Sequence, residues 1–404
     1  MQMLELVIYG VGLALSFYIA WCLGANDAAN PTDCAVGAGA LSMRKAITLF
    51  AIFAAAGGIL LGPIVMKTVD RGLVDRESLS LEVLTVGSFT ACLSAGIWIT
   101  LCTYKGMPVS TTHSIIGGVI GFGLISSAPM RWSNLYLVIV SLIISPVLAL
   151  VMAAGLYLFL KNYFSRERTE RANLAVIFLL VFTLAFSAVL MISYQTLGLG
   201  PFVSVLVALS VALVFSSILA YVLRARYGRL GVSNFLYVLL IIGLCFSAFS
   251  FGANDMANAT GVFVTPTQKI TGNPTFGTML LLSLLGSAGI ALGAFTWGYK
   301  VLEVTAYKVT RLDTLNGAAA EYANAIVVFL FTVLPSLFFG FGLPISTTHA
   351  SVGSLIGVGL ATRGLAGVSR GVTGKIILFW ILTIPAVILI SMSLFWLISK
   401  MMGI

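Results

Sequence analysis

Asp27, Asp33, Asp255 and Glu321 each fall within a long apolar stretch, and no lysine or arginine shares those stretches. A carboxylate taken out of water without a partner is costly, and ionisable residues at membrane depth are functional by default. Such acids are either protonated or held by mobile cations. Two of them sit in a repeated heptapeptide, GANDAAN at 24–30 and GANDMAN at 252–258. Asn26, Asp27 and Asn30, with Asn254, Asp255 and Asn258, offer the oxygen ligands that a hard cation such as Na⁺ takes at an interrupted helix. Gly24 and Gly252 allow the helix to unwind there, which frees carbonyls as further ligands, or let another backbone approach closely. A helix-breaking loop whose Asn and Asp cap the next helix is the simpler alternative. Two copies in apolar surroundings weigh against it.

A second motif recurs in the same order, PVSTTHS at 108–114 and PISTTHA at 344–350. Proline followed by Ser-Thr-Thr before an apolar, glycine-rich run marks a helix N-terminus. The exposed N–H groups and the positive dipole end of such a terminus suit an anion. The hydroxyls of Ser110, Thr111, Thr112, Ser346, Thr347 and Thr348 can each donate to an oxyanion. The same residues also suit an ordinary capped helix, a reading that the duplication disfavours. His113 and His349, the chain's only histidines, occupy matched places and read as orienting a hydroxyl or moving a proton. Asp33 and Glu321 have no acidic counterpart, since Gly261 and Thr85 stand opposite them. Asp33 is expected to line the cytoplasmic mouth or gate it, and Glu321 to act in ion coupling or gating. Gln195 and Gln268 read as loop ends.

The elements that position these residues must be membrane helices. The chain has 404 residues, of which 59% are hydrophobic and 9% charged, with a mean hydropathy of +1.08. Soluble domains carry about 45–50% apolar and about 25% charged residues. A cytosolic enzyme, a disordered chain and a disulfide scaffold are thereby excluded. Apolar and polar residues do not alternate with period two, which argues against an outer-membrane barrel. Twelve crossings are predicted, at 5–42, 46–66, 83–104, 109–129, 133–160, 173–194, 201–223, 232–267, 275–299, 318–341, 345–362 and 374–399. The first and eighth are too long for plain spans, and each contains a polar break. On this topology sixteen of the 22 basic residues fall on one side, which the positive-inside rule makes cytoplasmic. Both termini then face outward. The net charge of +9 reflects this loop bias and not nucleic acid. Five cysteines without metal-site spacing read as small buried apolar residues. The N-terminal run lacks a basic n-region and a cleavage site and is not read as a signal peptide.

Two ordered motif pairs at a nearly constant offset mean an internal duplication. Gly117, Ile120, Gly121, Gly123 and Leu124 extend it, matching Gly353, Ile356, Gly357, Gly359 and Leu360. Seven crossings separate the two copies, so the copies should be inverted, as in transporters whose substrates bind near the midplane between repeats. The predicted organisation is a first inverted repeat at 1–160, central linking and bracing helices at 161–231, and a second inverted repeat at 232–404. The fold class is an all-α polytopic membrane protein with broken helices, in the cell membrane.

GANDAANPTDCAVGAGALSMRKA with PVSTTHSIIGGVIG, and GANDMANATG with PISTTHASVGSLIG, resemble the inorganic phosphate transporter (PiT) family across nearly the whole chain. The resemblance implies cation-coupled uptake of inorganic phosphate, inverted halves and a homodimer, with no enzymatic activity and no cofactor beyond co-transported Na⁺. Glu321 resembles the second-half glutamate of the family, whereas the first-half glutamate has no equivalent here. The long hydrophilic central loop of animal members is absent, with only KNYFSRERTER (161–171) and RARYGR (224–229) in its place, a prokaryotic pattern. The chemistry agrees with this reading. Phosphate near neutral pH keeps one or two O–H groups that Asp27 and Asp255 can accept, whereas sulfate has none. A divalent anion beside two carboxylates, without a basic residue, needs cations to enter with it. Proton or metal-phosphate symport and sulfate permeation are the nearest alternatives. An intramembrane enzyme using His113 or His349 would need a nucleophile or metal set, and neither HExxH nor GxSxG occurs.

Overall fold

The structure, a computed structural model, describes residues 2–67, 73–75, 78–165, 170–227, 231–272, 275–339 and 344–403. Parts of the two basic segments named above therefore lie outside the described residues. Among the described residues fifteen α-helices dominate: α1 (Gln2–Asp27), α2 (Asp33–Gly37), α3 (Met43–Leu60), α4 (Gly62–Lys67), α5 (Leu81–Tyr104), α6 (Thr111–Ile125), α7 (Trp132–Phe164), α8 (Glu170–Met191), α9 (Pro201–Tyr227), α10 (Val232–Thr260), α11 (Val264–Thr271), α12 (Thr275–Val304), α13 (Thr314–Phe339), α14 (Thr347–Arg363) and α15 (Arg370–Met402). Among the described residues the only β pairing is two isolated bridges, Val74 with Met130 and Thr310 with Val368.

Among the described residues ten helical stretches are long and apolar enough to cross a bilayer. The predicted fourth and eleventh crossings are different. α6 has 15 residues and α14 has 17, so at 1.5 Å per residue they reach only about 22–26 Å. That falls short of a hydrocarbon core of about 30 Å. Each is preceded by a non-helical approach through its Pro-Val-Ser or Pro-Ile-Ser residues. Proline has no N–H to donate there, and Ser110 and Ser346 cap the helices that follow, each accepting from the backbone N–H three residues on at 3.1 Å. Backbone without helix at membrane depth is tolerated where protein surrounds it, and both approaches are buried.

Of the breaks expected at the two heptapeptides, the first lies within the motif and the second just beyond it. α1 stays helical through Gly24 and ends at Asp27, followed by turns up to α2, whereas α10 continues through GANDMAN to Thr260. The glycines therefore serve close approach and not unwinding. A methyl group on Gly24 would collide with the Ile290 carbonyl of α12, and one on Gly252 with the Ala54 carbonyl of α3. Gly293 and Gly57 meet the reverse constraint, from the carbonyls of Trp21 and Phe249. α1 thus crosses α12, and α10 crosses α3, at glycine-to-glycine contacts. Segments 1–160 and 232–404 interleave in space instead of forming separate blocks.

α6 and α14 start together. Thr112 Oγ1 donates to the Ile345 carbonyl at 2.7 Å, Thr348 Oγ1 lies 3.2 Å from the Val109 carbonyl, and the rings of His113 and His349 stand 4.5 Å apart. Gly353 and Gly357 of α14 pack on Pro146 and Leu150 of α7, in parallel. α7 begins where α6 ends and runs back through the molecule, so α14 leaves the junction in the direction opposite to α6. One apolar core surrounds α6, with Ile115, Val119 and Phe122, and another surrounds α14, with Val352, Leu355 and Val358. α8 and α9 pack chiefly on each other at one flank. Their apolar side chains, Phe202, Phe215 and Tyr221 among them, stay exposed to the surroundings.

Candidate functional site

The polar residues of all four motif copies converge where α6 and α14 begin. Asn26, Asp27, Asn254, Asp255, Asn258 and Thr112 are fully buried, and Asn30, Ser110, Thr111, Ser346, Thr347 and Thr348 are at most 2% exposed. The end of α1 delivers Asp27 and the last turns of α10 deliver Asp255. Thr111 Oγ1 lies 2.8 Å from Asp27 Oδ2 and 3.4 Å from Asp255 Oδ1, so one hydroxyl stands between the two carboxylates. Thr348 Oγ1 donates to Asp27 Oδ1 at 3.0 Å. The carboxamide of Asn30 donates towards Asp27 Oδ1 at 3.3 Å and Thr348 Oγ1 at 3.2 Å, and that of Asn258 donates to Asp255 Oδ1 at 2.7 Å and Thr112 Oγ1 at 2.9 Å. The contacts of Asn30 and Asn258 match one another across the two halves.

Three buried oxygens here have no hydrogen-bond partner: Asn30 Oδ1, its counterpart Asn258 Oδ1, and Asp255 Oδ2. An acceptor left bare in a dry interior costs roughly 1–3 kcal/mol, more when charged. Oxygens of this kind suit a cation, which needs acceptors and no donors. Around them, the first-turn N–H groups of α6 and α14 have no partner four residues back and point their dipoles at the junction. The site therefore offers donors for an anion and bare oxygens for cations, without a lysine or arginine.

Asn26 and Asn254, read from the sequence as cation ligands, are engaged differently. Asn26 Oδ1 accepts from the Val109 N–H at 3.1 Å, and its Nδ2 donates to Thr103 Oγ1 at 2.8 Å and the Met107 carbonyl at 3.1 Å. Asn254 Oδ1 accepts from the Ile345 N–H at 3.4 Å, and its Nδ2 donates to Thr332 Oγ1 at 2.9 Å. These carboxamides hold the approaches to α6 and α14 in place of backbone partners. Likewise Ser110 and Ser346 have their oxygens turned to their own helices.

His113 and His349 lie one turn beyond the junction, edge to face, with the His349 ring 3.8 Å from Trp380. His349 Nδ1 is 3.3 Å from the Leu142 carbonyl, and His113 Nδ1 and His349 Nε2 have no partner. Neither ring hydrogen-bonds a site hydroxyl, so of the two roles read from their spacing the structure favours only proton movement.

Asp33 and Glu321 do meet, outside the motif junction. α2 begins at Asp33 and α13 carries Glu321, and their carboxylates and the Cys34 thiol lie within 4.8 Å of one another, all buried. Ser351 Oγ donates to Asp33 Oδ2 at 3.0 Å. Asp33 Oδ1 and both oxygens of Glu321 have no hydrogen-bond partner. Asn324, one turn after Glu321, ties this cluster to the junction by donating to the Asn30 carbonyl at 3.3 Å and to Ser247 Oγ at 3.0 Å. Sequence reasoning passed over Asn324 and Ser351 and read Cys34 only as a small buried apolar residue, although Glu-x-x-Asn in an apolar helix puts two polar side chains on one face.

A family model described as the phosphate transporter family matches residues 23–391. A candidate phosphate permease of Pyrococcus abyssi is 33% identical over 399 residues, covering 95% of this chain and 96% of that protein. The Arabidopsis thaliana protein named inorganic phosphate transporter 2-1, chloroplastic, is 29% identical, covering 97% of this chain and 72% of that one. Among solved structures, one titled the sodium-dependent phosphate transporter superposes with a TM-score of 0.88 at 31% identity, covering 98% of this chain and 99% of the other. With the motifs at the helix junction and the family matched over nearly its whole length, the chain belongs to the phosphate transporter family.

Proposed function

We propose that this protein carries inorganic phosphate across the cell membrane together with sodium ions, by alternating access of the helix junction to the two sides. The observation that carries this reading is the single hydroxyl, Thr111, standing between Asp27 and Asp255 at the shared start of two helices. Phosphate presents two chemistries at once, bare oxygens that need donors and O–H groups that need acceptors. The first-turn N–H groups and the Thr111, Thr112, Thr347 and Thr348 hydroxyls serve the former, and the two aspartates serve the latter. A divalent phosphate beside two carboxylates carries about four negative charges into a low-dielectric site, a prohibitive cost unless cations accompany it. Asn30, Asn258, Asp27 and Asp255 supply oxygens for those cations, and the Asp33–Glu321 pair supplies a further acidic locus for coupling or gating. The solved relative named for sodium dependence supports sodium as the ion.

The matched contacts of Asn30 with Asn258, Asn26 with Asn254 and Ser110 with Ser346 support two inverted repeats, with α8 and α9 as a brace, and the basic-residue bias supports cytoplasmic placement of the α14 end. A homodimer is part of the same proposal, as are outward-facing termini. The deciding experiment is uptake of labelled phosphate into proteoliposomes under a sodium, potassium or proton gradient alone. Accumulation is expected with sodium only. Accumulation driven equally by a proton gradient replaces sodium with protons, and sulfate uptake at the same rate removes the proposed role of the phosphate O–H groups.

A further inference from the structure

The loop between α12 and α13 meets the end of α14 at a polar cavity of about 240 Å³ lined by Thr310, Arg311, Thr362, Arg363, Ala366 and Gly367. The molecule contains its own comparison for this corner. The bridge of Thr310 with Val368 has a counterpart in the first half, Val74 with Met130. Beneath each bridge lies an equivalent glycine, Gly359 against Thr310 and Val368, and Gly123 against Val74 and Met130. The first-half corner is balanced in charge, since Asp75, the residue after Val74, pairs with Arg131 at 3.6 Å. In the second half the position of Asp75 is taken by Arg311 and that of Arg131 by Ser369. Arg363, opposite Ser127, adds a second guanidinium.

Among the described residues neither Arg311 nor Arg363 forms an ion pair. Asp313, the acid nearest in sequence, has both oxygens occupied by the start of α13. Its Oδ1 accepts from the N–H groups of Leu315 and Asn316 at 2.8 and 2.9 Å, and its Oδ2 accepts from Asn316 Nδ2 at 3.1 Å. Arg363, in the last turn of α14, complements that helix end. Arg311 stands just before the N-terminus of α13, where the helix dipole disfavours a cation. α15 also begins here, with the Ser369 N–H bonded to the Val309 carbonyl at 3.0 Å. An anion is therefore called for by two guanidiniums that line one polar cavity without an acidic partner among the described residues.

The surroundings narrow the kind of anion. Leu365, between Arg363 and the cavity's Ala366, is 67% exposed, and Tyr307 is 57% exposed. At the same end of α12, Lys300 lies 5.2–5.5 Å from the rings of Tyr104, Trp297 and Tyr299. Aromatic side chains with basic residues at a helix end mark the headgroup level of a bilayer. A polar cavity with two guanidiniums and an apolar shoulder at that depth fits a phosphodiester carrying an acyl chain better than a free ion. Arginine's fork matches two phosphate oxygens at once. We propose that this corner holds the phosphate group of an anionic phospholipid, at the end of α14 remote from the helix junction.

The test uses the full-length protein in mixed micelles, with phosphatidylglycerol retention measured by native mass spectrometry against phosphatidylcholine. Wild type is expected to retain phosphatidylglycerol selectively. The Arg311→Gln/Arg363→Gln variant should lose affinity by roughly tenfold per arginine. Asp75→Asn/Arg131→Gln, at the balanced corner, should leave retention unchanged. Should the double variant not fold, Arg311→Gln alone is read, with a loss of roughly tenfold expected. Retention equal to wild type in folded Arg311→Gln/Arg363→Gln overturns the proposal. Displacement of phosphatidylglycerol by millimolar inorganic phosphate also overturns it, because the corner then serves a free ion.

Discussion

Thr111 lends one hydroxyl to two carboxylates, and this arrangement decides what each aspartate is worth. Asp27→Asn or Asp255→Asn removes one negative charge needed to attract the cation and one acceptor for a phosphate O–H. Either variant is expected to lose coupled phosphate uptake in proteoliposomes while keeping wild-type expression and gel-filtration behaviour. Uptake near the wild-type rate would exclude that residue from the site. Thr348→Val keeps the side-chain shape but removes the donor to Asp27 and the acceptor used by Asn30. A hydrogen bond to a charged group is worth about 1.5–3 kcal/mol, so phosphate affinity should fall roughly ten- to a hundredfold in equilibrium binding. Sodium affinity measured with phosphate present should fall with it, since coupling free energies are reciprocal. The aspartates and threonines were legible in the sequence because duplication in apolar surroundings left few structural explanations for them. The positioning role of Asn26 and Asn254 was not legible, because it depends on loops far along the chain. The Asp33–Glu321 encounter was hidden for the same reason, as neither residue has a counterpart in the repeat.

Among the helices, the glycine crossings carry the most information. A side chain at Gly24, Gly252, Gly57 or Gly293 would meet a neighbouring carbonyl and not a flexible side chain, so relief requires the helices to separate. Overpacking of this kind costs about 1–3 kcal/mol or more. Gly24→Ala and Gly252→Ala should lower the melting temperature in detergent and reduce the folded yield, whereas Gly155→Ala, with open space around it, should do neither. Equal melting temperatures for all three variants would remove the crossings as determinants of assembly. The sequence reading allowed these glycines two roles, unwinding or close approach, and only the partner helix decides between them. The short lengths of α6 and α14 were also obscured. Residues 109–110 and 345–346 read as the starts of the fourth and eleventh crossings, yet prolines and serine caps hold them outside the helices.

Across the whole molecule, α8 and α9 stand apart from the interlocked helices. Phe53, Val181, Ala185, Phe215, Ile242, Cys245 and Phe249 line an apolar cleft of about 330 Å³ between the α8–α9 pair and the α3–α10 pair. A gap lined by apolar side chains lets two bodies slide without breaking hydrogen bonds, which suits a brace against which the junction moves. Ala185→Cys places a thiol across this cleft from the native Cys245. Joining the two with a short bifunctional thiol reagent should leave phosphate binding intact and slow uptake at least tenfold, with Cys245→Ser as the control. Transport at the normal rate after cross-linking would show that these bodies do not move relative to each other. Ten of the twelve predicted crossings followed from composition, whereas the interleaving of the halves did not, because hydropathy orders helices along the chain and is silent on which neighbours they choose.

That interleaving bears on how the protein is made. Trp21 of α1 bonds Thr296 of α12 through its indole N–H at 2.9 Å, and Ser16 donates to the Ala259 carbonyl at 3.2 Å. A ribosome delivers α1 long before α12 exists, so Asp27, Asn26 and Asn30 must wait in the insertion machinery or the lipid without their final surroundings. Co-translational completion of one half ahead of the other, the usual order for successive domains, is closed to this chain. Residues 1–165 and 170–404 supplied as two polypeptides should accordingly be degraded when either is expressed alone, and should accumulate and co-purify when both are. Stable accumulation of either fragment by itself would mean that the halves mature independently and interlock afterwards.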